Sequence, residues 1–376
     1  MKTIAVIHYL PLEYYPPATN FLRFIADNLK PHQRVYAFST FNVKGRHPFE
    51  DPRILVTRFP FPIHTNLPYW RLFKYALFNI GTLISLLRRQ PDVLIYYESY
   101  SAWPAYWYMR LRRKQTKLFI HYHEYFPPEW YANGMRTVKN YYEKEKSFLW
   151  KQAVWISHTN GERLSLFKED HPFINEKKLQ VMPNYPPKRW QQYRKKINEN
   201  SYSQTIKTIY VGSLSLSNTY IKEYCEWVML QKGKVTFTIY SYNLHDSTVH
   251  YLNSLESEYI HFVNEGVEYE QLPLLLPNFH VGLILYRGIT ANHRFNAPNK
   301  LFEYLACGLD VWYPLEMEGM KPYQSTETNP KILELDFKKL DDHILIKQYR
   351  NTEGGELKNI YYCENIYENL ANTIND

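Results

Sequence analysis

A lysine and a glutamate stand three residues apart in an otherwise apolar segment of the second half of the chain. The stretch "NAPNKLFEYLACGLDV", residues 296–311, places Lys300 and Glu303 among leucine, phenylalanine, tyrosine and alanine, and reaches a natural helix stop at Gly308. At this spacing the two side chains share one face of a helix. An isolated pair of this kind is usually a surface ion pair. Here the apolar neighbours predict a buried helix, so both charges need a specific role.

We expect the start of this helix to bind a phosphate. Pro298 suits the first turn and Asn296 is a candidate cap. The free N–H groups at a helix start, including that of Asn299, favour an anion, and Lys300 adds a full positive charge there. One turn later, the carboxylate of Glu303 offers two acceptors for the two hydroxyls of a ribose. These residues together predict a site for a nucleoside diphosphate.

His123 and Glu124 form the second candidate site. They follow the strand-like run "KLFIHY" and open the proline-rich, aromatic loop "EYFPPEW". A histidine at a strand end is often structural, but the carboxyl ends of parallel strands are where α/β sheets bind ligands. His121 and His123 have no further ligands at metal-binding spacing, and the sequence has no Asp-x-Asp motif. We therefore expect no metal cofactor.

Composition predicts a globular protein of two domains. A chain of 376 residues, with 45% hydrophobic and 22% charged residues, is too long for one core and has ordinary globular composition. The three cysteines are widely separated, which indicates neither a disulfide framework nor a zinc site and favours a reducing compartment. We expect no targeting segment, because the apolar start is soon broken by His8 and Pro11.

Strand-like and helical runs alternate along the chain, which is typical of parallel sheets covered by helices. Seven strand-like runs precede a polar segment, and the pattern then restarts with "TIKTIYVGSL". We predict an α/β protein of two doubly wound domains, 1–186 and 206–376, joined by a linker at 187–205, with a terminal helix in the second domain. Both carboxyl edges should face a cleft. The apolar run 76–87 contains Asn79 and Gly81, so we expect a core helix rather than a membrane span.

A net charge of +8 indicates an acidic partner. The basic clusters are either solvated faces or contacts to anionic lipid headgroups. The helix "AWPAYWYMRLRR" supports the second reading, because Trp103, Tyr106, Trp107 and Met109–Arg110 precede further cations. No nucleic-acid motif accompanies the charge, so we expect no nucleic-acid partner.

The motifs resemble those of glycosyltransferases of the GT-B architecture, which have two Rossmann-like domains facing a cleft, and among these family four. Glu303 in "KLFEYLACG" matches the second of that family's two glutamates, associated with the ribose. Phe295 stands where the first would be, so this sequence departs from the family there, and the backbone N–H groups of 296–299 are candidates to hold the hydroxyls of the donor sugar instead. The turn "YVGSLSLSN" resembles the one where the backbone of Gly212 and Ser213 approaches phosphate.

The resemblance also implies roles for further residues. Tyr240 and Tyr242 in "YSYN" would lie where the base stacks, and Arg287 and Arg294 are additional cations for the diphosphate. "HEYFP" matches one subgroup, in which the histidine lies near the reacting sugar. His123 would thus hold the sugar or the acceptor.

The implied activity is transfer of a sugar from a nucleoside-diphosphate sugar to a saccharide or lipid-linked acceptor, in bacterial-type surface polysaccharide or glycoconjugate synthesis. Retention of configuration is implied; Glu124 would be a general base if the enzyme inverts. We expect a cytoplasmic protein, peripheral on the inner face of the membrane. A sugar-nucleotide epimerase and a non-catalytic sugar-nucleotide-binding subunit stay open, as do the nucleotide, the sugar, the acceptor and the oligomeric state.

Overall fold

Short runs of β-branched and aromatic residues form two separate parallel sheets, each at the centre of its own unit. The computed structural model describes residues 2–30, 32–41, 47–60, 67–194, 205–242, 244–255, 257–341, 355–356 and 361–375. The first unit comprises Met1–Pro183 with Cys363–Asp376, and the second comprises Asn184–Tyr362.

Seven parallel strands make the first sheet, in the order β3-β2-β1-β4-β5-β6-β7. All seven runs predicted from the sequence are present as strands. Most of their residues are buried, as expected for a sheet covered on both faces. The strands are β1 (Thr3–His8), β2 (Arg34–Thr40), β3 (Ile54–Phe59), β4 (Val93–Tyr97), β5 (Lys117–Tyr122), β6 (Ala153–His158) and β7 (Leu179–Val181).

The helices of the first unit lie between these strands. Several begin where the sequence carries a start signal: α1 opens on Pro16-Pro17, and the side chain of Asn160 caps α7 by accepting from the Arg163 N–H. A π-helical turn, Glu145–Leu149, extends α5 into α6. The helices are α1 (Pro16–Asp27), α2 (Pro68–Arg89), α3 (Ala102–Leu111), α4 (Pro128–Asn133), α5 (Arg136–Lys144), α6 (Trp150–Gln152) and α7 (Gly161–Asp170).

Six parallel strands make the second sheet, in the order β10-β9-β8-β11-β12-β14. Neighbouring residues Ile209 and Tyr210 belong to different core clusters, because side chains alternate between the two faces of a strand. The strands are β8 (Ile206–Val211), β9 (Val235–Tyr240), β10 (Ile260–Val263), β11 (Val281–Leu283), β12 (Asp310–Pro314), β13 (Thr328–Asn329), β14 (Ile332–Leu335) and β15 (Gly355–Glu356), of which β13 and β15 pair separately.

The second unit also contains part of the segment that the sequence predicted to be a linker. Lys188–Tyr193 is a 3₁₀ helix, and its Trp190 is buried against Tyr269. The segment is therefore part of this core as far as it is described, since residues 195–204 lie outside the described ranges. The helices here are α8 (Ile221–Leu230), α9 (Asp246–Asn253), α10 (Leu272–Leu275), α11 (Ala291–Arg294) and α12 (Asn299–Ala306).

The terminal helix α13 (Cys363–Asn375) belongs to the first unit, whereas the sequence analysis assigned it to the second domain. Its Tyr367 ring packs edge-on against Phe21 of α1, and the Tyr367 hydroxyl donates to the Pro17 carbonyl oxygen at 2.9 Å. The Lys117 ammonium donates to the Thr373 carbonyl oxygen at 3.1 Å. The helix was predicted from its pattern, but its partner is set by these contacts between residues far apart in sequence.

Both sheets follow the Rossmann-like strand order, so each has a point where the order reverses: between β1 and β4 in the first unit and between β8 and β11 in the second. Ligands of open α/β sheets bind at the carboxyl ends of strands beside such points. The predicted fold class, α/β with two Rossmann-like domains, is confirmed. No helix within the described ranges is long and apolar enough to cross a membrane.

Candidate functional site

The turn after β8 holds the ammonium group of Lys300 against its backbone. Gly212 has a φ of +127°, a conformation that L-residues with a side chain rarely adopt. The neighbouring strand β9 fixes it, because the Gly212 N–H donates to the Tyr240 carbonyl oxygen at 2.9 Å and the Ser241 hydroxyl donates to the Gly212 carbonyl oxygen at 2.6 Å. A Cβ at this position would lie 2.8 Å from Lys300 Nζ. Position 212 therefore requires glycine for two reasons, the positive φ and the close contact with Lys300.

Tyrosine side chains surround the Lys300 ammonium. Nζ donates to the Tyr286 hydroxyl at 3.2 Å and lies 5.3 Å from the ring centre of Tyr210. Aromatic faces attract a cation, and the tyrosine hydroxyl accepts one of its three hydrogens. The side chain is half-buried and keeps further donors for an anion. Because β8 and β11 flank the point where the strand order reverses, this cation lies where such sheets bind ligands.

Glu303 is buried one turn into α12, at 7% exposure. Burial raises the pKa of its carboxyl group from 4.5 to about 7, and the nearby Lys300 charge acts in the opposite direction. A buried carboxyl group with this pKa exists in both protonation states near neutral pH. It is suited to hydrogen bonding with hydroxyl groups, either as acceptor or as donor.

The start of α12 differs from the sequence prediction at both Pro298, predicted in the first turn, and Asn296, predicted as the cap. The cap position is Pro298, with extended backbone and no capping side chain, and Asn296 lies two residues before it. Asn296 is therefore not the cap, because the helix begins later than its spacing suggested. The predicted stop is confirmed: Gly308 has a φ of +84°, and the N–H groups of Gly308 and Leu309 donate to the carbonyl oxygens of Leu305 and Tyr304.

The predicted additional cations are engaged with acids. The Arg294 guanidinium binds the Glu318 carboxylate, with Nε 2.9 Å from Oε1. Arg287 binds Glu223, with Nη2 2.6 Å and 2.8 Å from the two carboxylate oxygens. Of the three predicted cations, Lys300 differs in that its ammonium group donates to a neutral tyrosine hydroxyl rather than to a carboxylate.

Other predicted residues of the second unit lie around the same turn or on its approach. Ser213 is exposed, and its carbonyl oxygen accepts from the Tyr210 hydroxyl at 2.8 Å. Tyr242 is half-buried beyond the end of β9. The Phe295–Asn296 backbone runs so close to Gly319 that a Cβ there would lie 2.5 Å from the Phe295 carbonyl carbon. This contact holds the chain that leads into α12.

His123 lies in a cluster of buried rings at the carboxyl edge of the first sheet. Its ring stacks on Tyr97 with centres 5.2 Å apart and planes 14° apart, and the His121 ring is 4.9 Å away. The His8 ring is 5.7 Å away. Burial lowers the pKa of His8 to about 4 and that of His121 to about 3, so both are neutral at pH 7.

Glu98 is a candidate that the sequence analysis missed. It follows β4, has a φ of +61°, and its Oε1 accepts from the N–H groups of His123 at 2.6 Å and Glu124 at 3.2 Å. Burial raises the pKa of Glu98 to about 8, with a further contribution from Glu124. An acid placed directly after the apolar run "VLIYY" was the available signal. Its positive φ, its burial and its hydrogen bonds to the predicted catalytic segment make Glu98 a candidate functional residue.

The side chain of Glu124 is exposed, whereas the backbone of the preceding residue is held by a buried arginine. Arg163 is buried, and its Nη1 donates to the His123 carbonyl oxygen at 2.7 Å and to the Thr159 hydroxyl at 2.9 Å. Glu98 and Arg163 therefore hold the N–H and C=O groups of the same short segment. The backbone of the His123–Glu124 pair is thereby fixed by two side chains, Glu98 after β4 and Arg163 of α7.

The first unit also contains a buried carboxyl group, a small cavity and an open pocket. Glu145 accepts from the hydroxyls of Tyr96 (2.8 Å), Ser99 (2.6 Å) and Tyr122 (2.7 Å), and burial raises its pKa to about 7. A cavity of about 10 Å³ lies nearby. An open pocket of about 500 Å³ has an aromatic and apolar lining, formed by Tyr100, Glu129, Trp130, Asn133, Gly134, Met135 and Val138.

Comparison with known proteins gives matches in structure only. No family model and no curated protein matches the sequence. Sucrose-phosphate synthase from Thermosynechococcus elongatus matches with a TM-score of 0.66 at 13% identity, over 100% of this chain and 98% of that one. The apo form of the lipopolysaccharide outer core galactosyltransferase WaaB matches with a TM-score of 0.62 at 13% identity, over 99% of each chain. UDP-GlcNAc 2-epimerase from Neisseria meningitidis, bound to UDP-GlcNAc, matches with a TM-score of 0.55 at 12% identity, over 100% of this chain and 99% of that one.

The chain has the GT-B fold. At these identities the likeness establishes the fold and no particular activity. Sugar transferases and sugar-nucleotide epimerases both appear among the similar structures. Membership of family four therefore stays a prediction.

Each unit of this GT-B chain brings one group of predicted residues together. In the second unit, Gly212, Tyr240 and Lys300 meet at the β8 turn, and Glu303 lies one helical turn further on. In the first unit, His123 and Glu124 are joined by Glu98. Within the described ranges, no group of three or more histidine, cysteine, aspartate or glutamate side chains is arranged to hold a metal ion.

Proposed function

We propose that the chain is a glycosyltransferase that moves a sugar from a nucleoside-diphosphate sugar to a saccharide or lipid-linked acceptor. The contact between the Lys300 ammonium and the Gly212 turn carries this proposal. It joins a cation, a glycine turn and a helix start at the point where the strand order of the second sheet reverses. These are the features with which α/β folds bind phosphate groups.

The second unit would hold the donor. Lys300 and the N–H groups at the start of α12 would bind the diphosphate, and Glu303 would hydrogen-bond the ribose hydroxyls. Stabilising the charge on the departing diphosphate is the main term expected for such a transfer. No metal ion is required in this proposal, because the sequence lacks an Asp-x-Asp motif and Lys300 supplies the charge.

The first unit would hold the acceptor. His123 would contact the reacting sugar, and the pocket lined by Trp130 and Tyr100 offers aromatic faces of the kind on which sugar rings stack. By resemblance we propose retention of configuration, and we propose that the enzyme acts at the cytoplasmic side of a membrane.

A sugar-nucleotide epimerase is the second candidate. It is favoured by the similar structures that are UDP-GlcNAc 2-epimerases and match over nearly the whole chain. A binding subunit without activity is the third, because Phe295 stands where family four has its first glutamate.

One assay separates the three. The protein is incubated with UDP- and GDP-linked sugars, with and without a saccharide or lipid-linked acceptor pool, and three products are measured: glycosylated acceptor, free nucleoside diphosphate and isomerised donor. We expect acceptor-dependent transfer, lost in Lys300→Ala and kept in the exposed control Lys234→Ala. Isomerised donor without transfer would replace the proposal by an epimerase. Absence of all three products, together with a thermal shift when the nucleotide sugar is added, would replace it by a binding subunit.

A further inference from the structure

The helix α2 carries a second apolar face that its own unit does not cover. Phe78 and Leu86 are fully buried against the first unit. A different set of large side chains points to solvent at spacings of four, four, three and four residues, which is one continuous stripe on a helix. We call this set the α2 stripe: Tyr69 (61% exposed), Phe73 (55%), Leu77 (39%), Ile80 (49%) and Ile84 (43%).

The stripe is wide as well as long. From residue 69 to residue 84 it extends about 22 Å along the helix, and Trp70 and Leu72, 51% and 61% exposed, widen it at its start. Single exposed apolar side chains are normal on protein surfaces, but a contiguous apolar surface of this kind marks an interaction site. The prediction of a core helix at 76–87 was therefore right for one face only.

All charges on this helix are positive. Its 22 residues include Arg71, Lys74, Arg88 and Arg89 and no aspartate or glutamate. Arg88 and Arg89 are exposed at the carboxyl end, where the helix dipole also favours cations. An apolar stripe on a helix whose own charges are all positive combines the two attractions that a surface of anionic lipid offers.

We propose that the α2 stripe docks the protein onto an anionic lipid bilayer, with the helix lying in the plane of the interface. A second copy of the chain is a poor occupant, because two α2 helices packed together would oppose four cations with four cations. The helix α3, which the sequence analysis favoured for this role, is already packed: Met109 is buried, and Tyr106 contacts Phe148 under the Arg110 guanidinium.

The test measures binding to vesicles with no nucleotide sugar present, so its outcome is independent of the proposed transferase activity. Vesicles of phosphatidylcholine with about one third phosphatidylglycerol are sedimented with the protein at low and high salt. We expect binding to these vesicles, weakened by salt, and much less binding to pure phosphatidylcholine. Replacing Arg71, Lys74 and Arg88 by glutamine should weaken binding about fivefold per cation. Arg89 is left intact because its guanidinium lies 3.9 Å from the Tyr36 ring centre.

The stripe is tested by a matched pair of triple variants. Phe73→Ser, Leu77→Ser and Ile80→Ser together should reduce vesicle binding at least tenfold. The control changes Leu55, Phe173 and Leu230, which are also exposed (56%, 51% and 74%), to serine and should bind as the unchanged protein does. Circular dichroism checks that both variants are folded.

Three results would overturn the proposal. The first is no binding of the unchanged protein to anionic vesicles. The second is equal binding by the stripe variant and the unchanged protein. The third is a dimer in sedimentation equilibrium that the stripe variant converts to monomer while vesicle binding is unaffected, which would assign the surface to a second copy.

Discussion

Gly212→Ala tests the proposed diphosphate site through its geometry rather than its charge. The new Cβ would lie 2.7 Å from Cε and 2.8 Å from Nζ of Lys300, so the ammonium group must leave the β8 turn. The end of a lysine side chain is flexible, and its displacement costs the fold little. The backbone cost is larger, about 1–3 kcal/mol, because alanine is strained at a φ of +127°.

The loss in binding follows from the same contact. A hydrogen bond to a charged group contributes about 1.5–3 kcal/mol, so displacing the ammonium should weaken binding of UDP or GDP about 10- to 150-fold. Gly233→Ala is the matched control. Gly233 also has a positive φ, +90°, but its Cβ would lie 3.4 Å from Tyr259 Cε1, an ordinary contact. Both variants should lose a similar amount of stability, and only Gly212→Ala should lose nucleotide affinity.

Calorimetric titration of the two variants, and of Gly212→Ala combined with Lys300→Ala, completes the test as a double-mutant cycle. If the alanine acts by displacing Lys300, it has no further effect once that lysine is gone. Unchanged affinity in Gly212→Ala would refute the assignment. So would an effect of equal size with and without Lys300, because the alanine would then act on the ligand directly.

Three further predictions concern charge and protons. Glu303→Gln should weaken donor binding by about 1.5–3 kcal/mol, and a 2′,3′-dideoxy donor should bind both forms alike; a clear difference with that donor would contradict the ribose role. Glu145→Gln should remove a fall in stability of about 3 kcal/mol between roughly pH 5 and 8, measured by urea denaturation, because the folded state keeps a proton up to a pKa of about 7 that the unfolded chain releases near 4.5; an unchanged pH slope would contradict it. Transfer activity should survive EDTA, and a loss restored by magnesium or manganese would show that a metal, not Lys300, meets the phosphate charge.

The fold was predictable because its signals are local. Each strand of the first sheet is a short apolar run between polar segments, and the alternation with helices selects a parallel sheet without any knowledge of contacts. The four-residue strand Ile332–Leu335 was missed, since a run this short carries little pattern. The terminal helix shows the limit: its amphipathic pattern predicts a helix, but only Tyr367 and its partners determine which unit it joins.

The candidate site was predictable where one segment contains all its parts and not where distant segments meet. Lys300 and Glu303 lie within one helix, so their spacing alone places them on one face. Glu98 is 25 residues from His123, and the two meet because β4 and β5 are neighbours in the sheet. Nothing in the residues around Glu98 specifies that pairing. The same holds for the α2 stripe, because the pattern shows two apolar faces but not which one the sheet covers.

The chemical groups at the two sheet edges support different roles for the two units. At the first sheet edge, His8 and His121 are neutral at pH 7 and burial favours the protonated form of Glu98, so these three groups offer little charge for binding a diphosphate. At the second sheet edge, a lysine and a helix start meet at a glycine turn. A diphosphate is stabilised by cations and N–H donors, whereas a sugar hydroxyl is better served by neutral groups that donate and accept. We therefore expect the donor at the second unit and the acceptor at the first.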